Sequence, residues 1–170
     1  GCAIGSRPVN LHLDALKKMG ATIRIKDGYI IASAINGLVG STIRFPKISV
    51  GATENILIAA CYANGKTVIK NCACEPEIKD LSNFLVKMGC RINWISKRNV
   101  EIVGVKKLKS VMYKVMFDRI EAGTYAIASA LTKGHVTIKN VNPKIMSAEL
   151  ATLGKMGVKI IKHKNKLIVK

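Results

Sequence analysis

The chain has 170 residues, enough for one ordinary domain or slightly more, and 49% of them are apolar, which excludes a disordered chain. Its 28 basic residues against 10 acidic ones give a formal charge of +18, the balance of a nucleic-acid or anionic-surface binder. Lysine supplies 22 of those cations and arginine only 6, which argues against nucleic acid as a partner, because phosphate and base readers favour arginine forks. Isoleucine is equally abundant, at 22, so a lysine- and isoleucine-biased composition explains the charge. The lysines are spread along hairpin and helix positions such as Lys159, Lys162, Lys164 and Lys166. No apolar run reaches the roughly 18 residues that span a bilayer, and the amino terminus lacks a charged-then-apolar signal pattern. The chain begins Gly1-Cys2-Ala3 without an initiator methionine, so the expectation is a processed chain or a piece of a longer one.

In chain order, a glycine-flanked opening leads to an amphipathic helix over 11–18, closed by Lys18-Met19-Gly20 with the glycine in the left-handed cap position. Strands over 22–25 and 29–32 follow around a turn. A helix over 51–64, apolar nearly all round, runs through Gly65 into a strand over 66–71. The pattern then returns. An amphipathic helix over 78–87 ends at Lys87-Met88-Gly89, before strands over 91–95 and 100–103. A second apolar helix over 120–133 runs through Gly134 into a strand over 135–140. A third amphipathic helix over 145–155 ends at Lys155-Met156-Gly157, before strands over 159–162 and 166–169. The cap glycines lie 69 and 68 residues apart, so the chain is a repeat. Its unit is strand, helix, strand, strand, strand, helix in cyclic order, present roughly two and a half times. The apolar helices have no polar face, so they are expected to be buried on most sides within a shell of sheets.

The five cysteines are Cys2, Cys61, Cys72, Cys74 and Cys90. An odd count with no CxxC pair argues against a disulfide framework or a zinc site. Cys61 and Cys90 read as small core residues, Cys72-Ala73-Cys74 as structural, and all fit a reduced, cytoplasmic setting. His12, His135 and His163 show no ligand spacing, and Trp94 and Tyr113, on predicted strands, read as packing. No metal or cofactor is expected.

Three places could carry chemistry. Cys2 sits between two glycines, and a thiol near Arg7 would have a lowered pKa suited to proton donation or nucleophilic attack; a cysteine at a ragged terminus is the plainer alternative. Lys47, Ile48, Ser49, Val50 and Gly51 precede a buried helix, where free amides, a hydroxyl and a lysine suit a phosphate, or simply a serine N-cap. Asp118, Arg119 and Glu121 stand at the equivalent place before the next helix. They are a charged cleft edge or, as the residue types favour, a capping pair with a surface ion pair. Glu75-Pro76-Glu77 suits a helix start without further function.

Four motifs then stand in order and spacing: Gly1-Cys-Ala-Ile-Gly-Ser-Arg-Pro-Val-Asn-Leu-His12, Ser49-Val-Gly-Ala-Thr-Glu54, Glu75-Pro-Glu-Ile78 and Asp118-Arg-Ile-Glu-Ala-Gly-Thr124. Together they resemble the UDP-N-acetylglucosamine 1-carboxyvinyltransferase family, the enolpyruvyl transferases that open peptidoglycan synthesis. The sibling 5-enolpyruvylshikimate-3-phosphate synthases share the repeat but lack the cysteine loop. The resemblance implies an α/β fold, the inside-out α/β prism of two lobes closing over the substrates, of which this chain covers roughly 40%. Residues 1–115 would be the latter part of the first-entered lobe and 116–170 the beginning of the second.

Carried onto this sequence, the resemblance implies that Cys2 protonates C3 of phosphoenolpyruvate and can form a covalent adduct with it. Arg7 would hold the phosphate. Arg7, Pro8, Val9, Asn10 and Leu11, with Lys47, Ile48, Ser49, Val50 and Gly51, would grip the nucleotide sugar. Asn10 replaces the family's usual aspartate, and Phe117 stands where proline commonly precedes the Asp-Arg-Ile-Glu motif. The implied partners are UDP-N-acetylglucosamine, phosphoenolpyruvate and the amino- and carboxy-terminal segments of the same enzyme, with no membrane. The lysine–asparagine pair that binds phosphoenolpyruvate would precede Gly1 and the aspartate base would follow Lys170, so this stretch alone is expected to be inactive. The rival expectations are a non-catalytic binding or structural module and a basic nucleic-acid binder.

Overall fold

Each amphipathic helix stops in the same way, and that stop sets the architecture. In the computed structural model, which describes residues 9–170, helices α1 (Asn10–Lys18), α3 (Pro76–Lys87) and α5 (Ser147–Lys155) all end in a left-handed glycine. Gly20, Gly89 and Gly157 have φ of +94°, +105° and +90°. The next amide reaches back five residues: Ala21 to the Leu16 carbonyl, Cys90 to Leu85, and Val158 to Leu153, at 3.0, 3.0 and 3.1 Å. This double-bonded cap turns the chain sharply into a strand. Val39 N–H donates to Met19 O and Lys109 N–H to Met88 O, both at 2.8 Å, so the crossovers repeat as well.

The chain divides into two compact units, one running to Lys114 and the other from Val115 to Lys170. In the first, strands β1 (Thr22–Lys26) and β2 (Tyr29–Ser33) form a two-stranded antiparallel hairpin. Every residue of that hairpin is exposed except Ile23, which is half-buried. Strands β3 (Thr42–Arg44), β4 (Lys66–Lys70), β5 (Arg91–Ser96) and β6 (Asn99–Val103) make a second sheet in the order β3-β4-β6-β5. β3 and β4 are parallel and the other pairs antiparallel. Helix α2 (Val50–Ala60) buries Ala52, Thr53, Ile56, Leu57 and Ala60 in the core with Leu11, Ile43, Ile69, Ile78 and Ile102.

The second unit repeats the pattern. Helix α4 (Arg119–Leu131) leads to β7 (Val136–Lys139), and β8 (Ile160–Lys162) and β9 (Lys166–Val169) complete a sheet ordered β7-β9-β8, matching β4-β6-β5. Its own core gathers Ala122, Ala126, Met146, Leu150, Leu167 and Val169.

Four sequence expectations change. α2 ends at Ala60 instead of Asn64, because the chain turns to let Asn64 N–H donate to Leu38 O and Val105 N–H to Cys61 O. The helix expected from Ile145 is a 3₁₀ turn, Pro143–Met146, followed by α5; the Asn142 side chain caps that turn by accepting from Lys144 N. No strand forms over 104–118, and Tyr113 lies there instead, its hydroxyl donating to Asp80 Oδ1 at 2.8 Å. α4 is not covered on most sides, since Ile120, Tyr125, Ile127 and Leu131 are exposed. At the α4 end Lys133 takes the positive φ, +49°, and Gly134 follows it.

Candidate functional site

The two stretches singled out for a nucleotide sugar begin helices that pack on one another. Val9 occupies the cap position of α1, Asn10 opens the helix exposed, and Leu11 turns into the core beside Ala15. Ser49 caps α2 by accepting from Ala52 N–H at 3.3 Å. Leu11, Leu16, Val50 and Ala59 share one apolar cluster, which holds the α1 and α2 starts together. The sites meet at His12 and Gly51. The imidazole Cε1 and Nε2 stand 3.5 and 3.7 Å from the point a Cβ on Gly51 would occupy, the nearest atoms outside the glycine's chain neighbours and its own helix backbone.

Lys47 and Ile48 are exposed ahead of this helix start, and Val50 is half-buried. One turn in, the buried Thr53 hydroxyl donates to Ser49 O at 2.7 Å and accepts from Ala73 N–H at 3.0 Å. The threonine thereby ties the cap to the loop after β4. Burial raises the Glu54 carboxyl above its ordinary range, and the neighbouring Glu77 charge adds to the effect.

Beside the paired starts runs an open groove of about 340 Å³ between α1 and the end of β3. Leu11, Ala15, Ile43 and Phe45 give it an apolar floor, and Asn10, Asp14, Lys17, Lys18 and Arg44 a polar rim. Sequence reasoning had Asn10 and Leu11 and missed the others. The available signal was the spacing 10, 14, 17 and 18, which sets these residues along one helix face. Arg44 carried no such signal, because its place depends on how β3 meets α1.

In the second unit Asp118 caps α4, its Oδ1 accepting from Ile120 N–H at 2.7 Å and Glu121 N–H at 3.1 Å. Arg119 Nη1 reaches Glu149 Oε1 on α5 at 3.3 Å. Cys2, Arg7 and Pro8 lie outside the described residues. The other cysteines are packing groups: Cys61, Cys72 and Cys90 are buried, and Cys74 is partly so. Burial pushes the Cys72 thiol up to about 11, and a hydrogen bond with Cys90 together with burial pushes the Cys61 thiol up. Lys79 lies 3.0 Å from the centre of the Trp94 ring, and burial lowers its pKa. Among the described residues, no cluster of three His, Cys, Asp or Glu side chains could hold a metal, and no helix is long and apolar enough to cross a membrane.

Comparison with known proteins agrees with the repeat and with the motifs. The family described as EPSP synthase (3-phosphoshikimate 1-carboxyvinyltransferase) matches residues 1–170. A UDP-N-acetylglucosamine 1-carboxyvinyltransferase from Pelagibacter ubique is 57% identical over 169 residues, 99% of this chain and 40% of that protein. The protein of the same name from Endomicrobium trichonymphae is 54% identical over 165 residues, 97% of this chain and 40% of its own. Among solved structures, the enolpyruvyl transferase NikO from Streptomyces tendae matches with a TM-score of 0.82 at 22% identity, covering 96% of this chain and 42% of its own. EPSP synthase from Acinetobacter baumannii matches at 0.68 and 19% identity, covering 99% and 40%. The fold over this stretch is that of the enolpyruvyl transferases, a mixed α/β arrangement. The chain spans about 40% of the length of the curated relatives it matches.

Proposed function

The chain belongs to the EPSP synthase (3-phosphoshikimate 1-carboxyvinyltransferase) family, and we propose that it serves the transfer of the enolpyruvyl group from phosphoenolpyruvate to the 3-hydroxyl of UDP-N-acetylglucosamine, the step that opens peptidoglycan synthesis in the cytoplasm. The relatives named for that reaction, at 54–57% identity, support the choice of acceptor over shikimate phosphate. The observation that carries the reading is the pairing of the α1 and α2 starts. It sets Val9, Asn10 and Leu11 beside Ser49, Val50 and Gly51, with the His12 imidazole against Gly51.

In this reading the nucleotide sugar lies across those starts, with Lys47 and the first α2 amides toward its diphosphate. Cys2 gives its proton to C3 of phosphoenolpyruvate, and its sulfur can add at C2 to hold the enolpyruvyl carbon covalently. Arg7 fits the phosphate with a two-pronged fork, and Pro8 belongs to the sugar-nucleotide stretch. Asp118, Arg119 and Glu121 stand as a second-lobe edge, with residues 1–115 and 116–170 as parts of the two lobes. The remaining segments of the same enzyme would supply the other substrate contacts.

Titration of the chain with UDP-N-acetylglucosamine tests this. Saturable binding is expected, weakened about tenfold by Lys47→Gln through loss of one charge-assisted contact. Absence of binding to the unsubstituted chain would refute the reading.

A further inference from the structure

Cys61 and Cys90 belong to one buried cluster, Cys61 wholly covered and Cys90 nearly so. The end of β6 draws them to the same point. Val103 pairs with Arg91, which places Cys90 where β5 enters the sheet. Two residues on, Val105 N–H donates to Cys61 O at 2.8 Å. Gly104 between them sits so close to Ala63 that a Cβ there would overlap the Ala63 carbonyl, so this approach requires glycine. The thiols stand within hydrogen-bonding reach of each other. Cys61 is the donor of the pair and has Leu57 O, 3.2 Å away, as a second acceptor. Their shared bond draws Cys90 below the ordinary thiol range, against burial and with help from Arg91 N–H, while the bond and burial together hold Cys61 above it. One sulfur is thus the readier thiolate and the other keeps its proton, the division that disulfide formation needs.

We propose that Cys61 and Cys90 close into a reversible disulfide when hydrogen peroxide reaches the core, a redox device independent of the enolpyruvyl-transfer reading. The Cys90 thiolate attacks one peroxide oxygen and the O–O bond breaks, leaving Cys90 as a sulfenic acid. The other oxygen departs as hydroxide and takes up the proton that Cys90 gave away, forming water. The Cys61 sulfur then attacks the Cys90 sulfur. The S–S bond forms as the S–O bond breaks, and the Cys61 proton leaves with that oxygen as a second water. The two thiols lose two electrons and the peroxide gains them. Peroxide is small, and β5 is an edge strand of its sheet, so local opening at the β5 start admits it without unfolding the unit. The link would tie the end of α2 to the turn between α3 and β5.

The folded chain is treated with hydrogen peroxide, then unfolded, alkylated and cut with trypsin. Peptide 48–66 is expected joined to peptide 88–91, two hydrogens lighter than their sum, and dithiothreitol should separate them. The same treatment in concentrated urea, where the fold no longer holds the thiols together, is expected to give about tenfold less of this pair. Cys61→Ala is expected to halt the reaction at the Cys90 sulfenic acid, which dimedone labels, and Cys90→Ala to leave Cys61 unlabelled. The oxidised chain should also show a higher urea midpoint for the first unit than the reduced one. Absence of the 48–66 and 88–91 pair from the folded chain, or its equal abundance in urea, overturns the inference. Linkage of either cysteine to Cys2 or to peptide 71–79 in its place does so too. Dimedone on Cys61 in place of Cys90 overturns the assigned order of attack.

Discussion

Replacing Lys133 by glycine should make the second unit more stable, although glycine is ordinarily the poorer residue near a helix. Lys133 has φ of +49°, and the amide after it, on Gly134, reaches back to Ser129 O at 2.8 Å. It thus holds the left-handed place that Gly20, Gly89 and Gly157 hold at the other caps. A side chain in that conformation costs about 1–2 kcal/mol. Glycine adds unfolded-state freedom worth about 0.4–1 kcal/mol, which opposes the gain. The difference leaves a net stabilisation of about 0.5–1 kcal/mol for Lys133→Gly. Urea titration followed through the amide signals of β7, β8 and β9 reads this as a higher midpoint at unchanged slope. The reverse exchange, Gly157→Lys at φ +90°, should lower the midpoint in the same unit. A lower midpoint for Lys133→Gly, or no effect of Gly157→Lys, would refute the account of the cap.

Three further outcomes follow from buried polar groups. The Thr67 hydroxyl is buried without a partner among the described residues, so Thr67→Val should stabilise the first unit by about 1 kcal/mol in chemical denaturation. Thr53 is the opposite case: Thr53→Val leaves the Ala73 N–H unpaired and should cost about 1–3 kcal/mol, visible as faster exchange at that amide. The Cys72 thiol, raised by burial to about 11, holds its proton more tightly in the folded chain than in the unfolded one. Its contribution is full below the ordinary thiol pKa and is lost as pH rises through about 11, so thermal stability should fall across that alkaline window and fall less in Cys72→Ala.

The repeat was legible because its signals are local. Lys-Met-Gly marks a cap wherever it occurs, and the strands that follow alternate within a few residues. What misled the reading was composition without context. The apolar run through Cys61, Tyr62 and Ala63 looks helical, yet Asn64 and Val105 need those carbonyls and amides for pairing with Leu38 and Cys61. Uniform apolarity in α4 suggested burial on most sides, and four of its large side chains are exposed. Pro143 and the Asn142 cap were visible in the sequence, but whether they start an α-helix or a tighter turn is decided by the packing of Met146, which is fully buried. The candidate site divides the same way. The stretch at 47–51 could be picked from the residues themselves and that at 9–11 came with the family resemblance, whereas Arg44 joins Asp14, thirty residues earlier, only through the meeting of a strand and a helix.

The β1–β2 hairpin has a consequence for how the molecule breathes. Its only partly covered side chain is Ile23, and its backbone bonds are made within the hairpin itself. Opening it exposes almost no new apolar surface, so it should exchange its amides as an independent foldon long before β4 and β6 do. A protease cutting at Asp27-Gly28 would then find its substrate in the folded state. The first scission of the chain is thereby set by the hairpin's local opening, and global stability measured elsewhere in the unit will not foretell its rate.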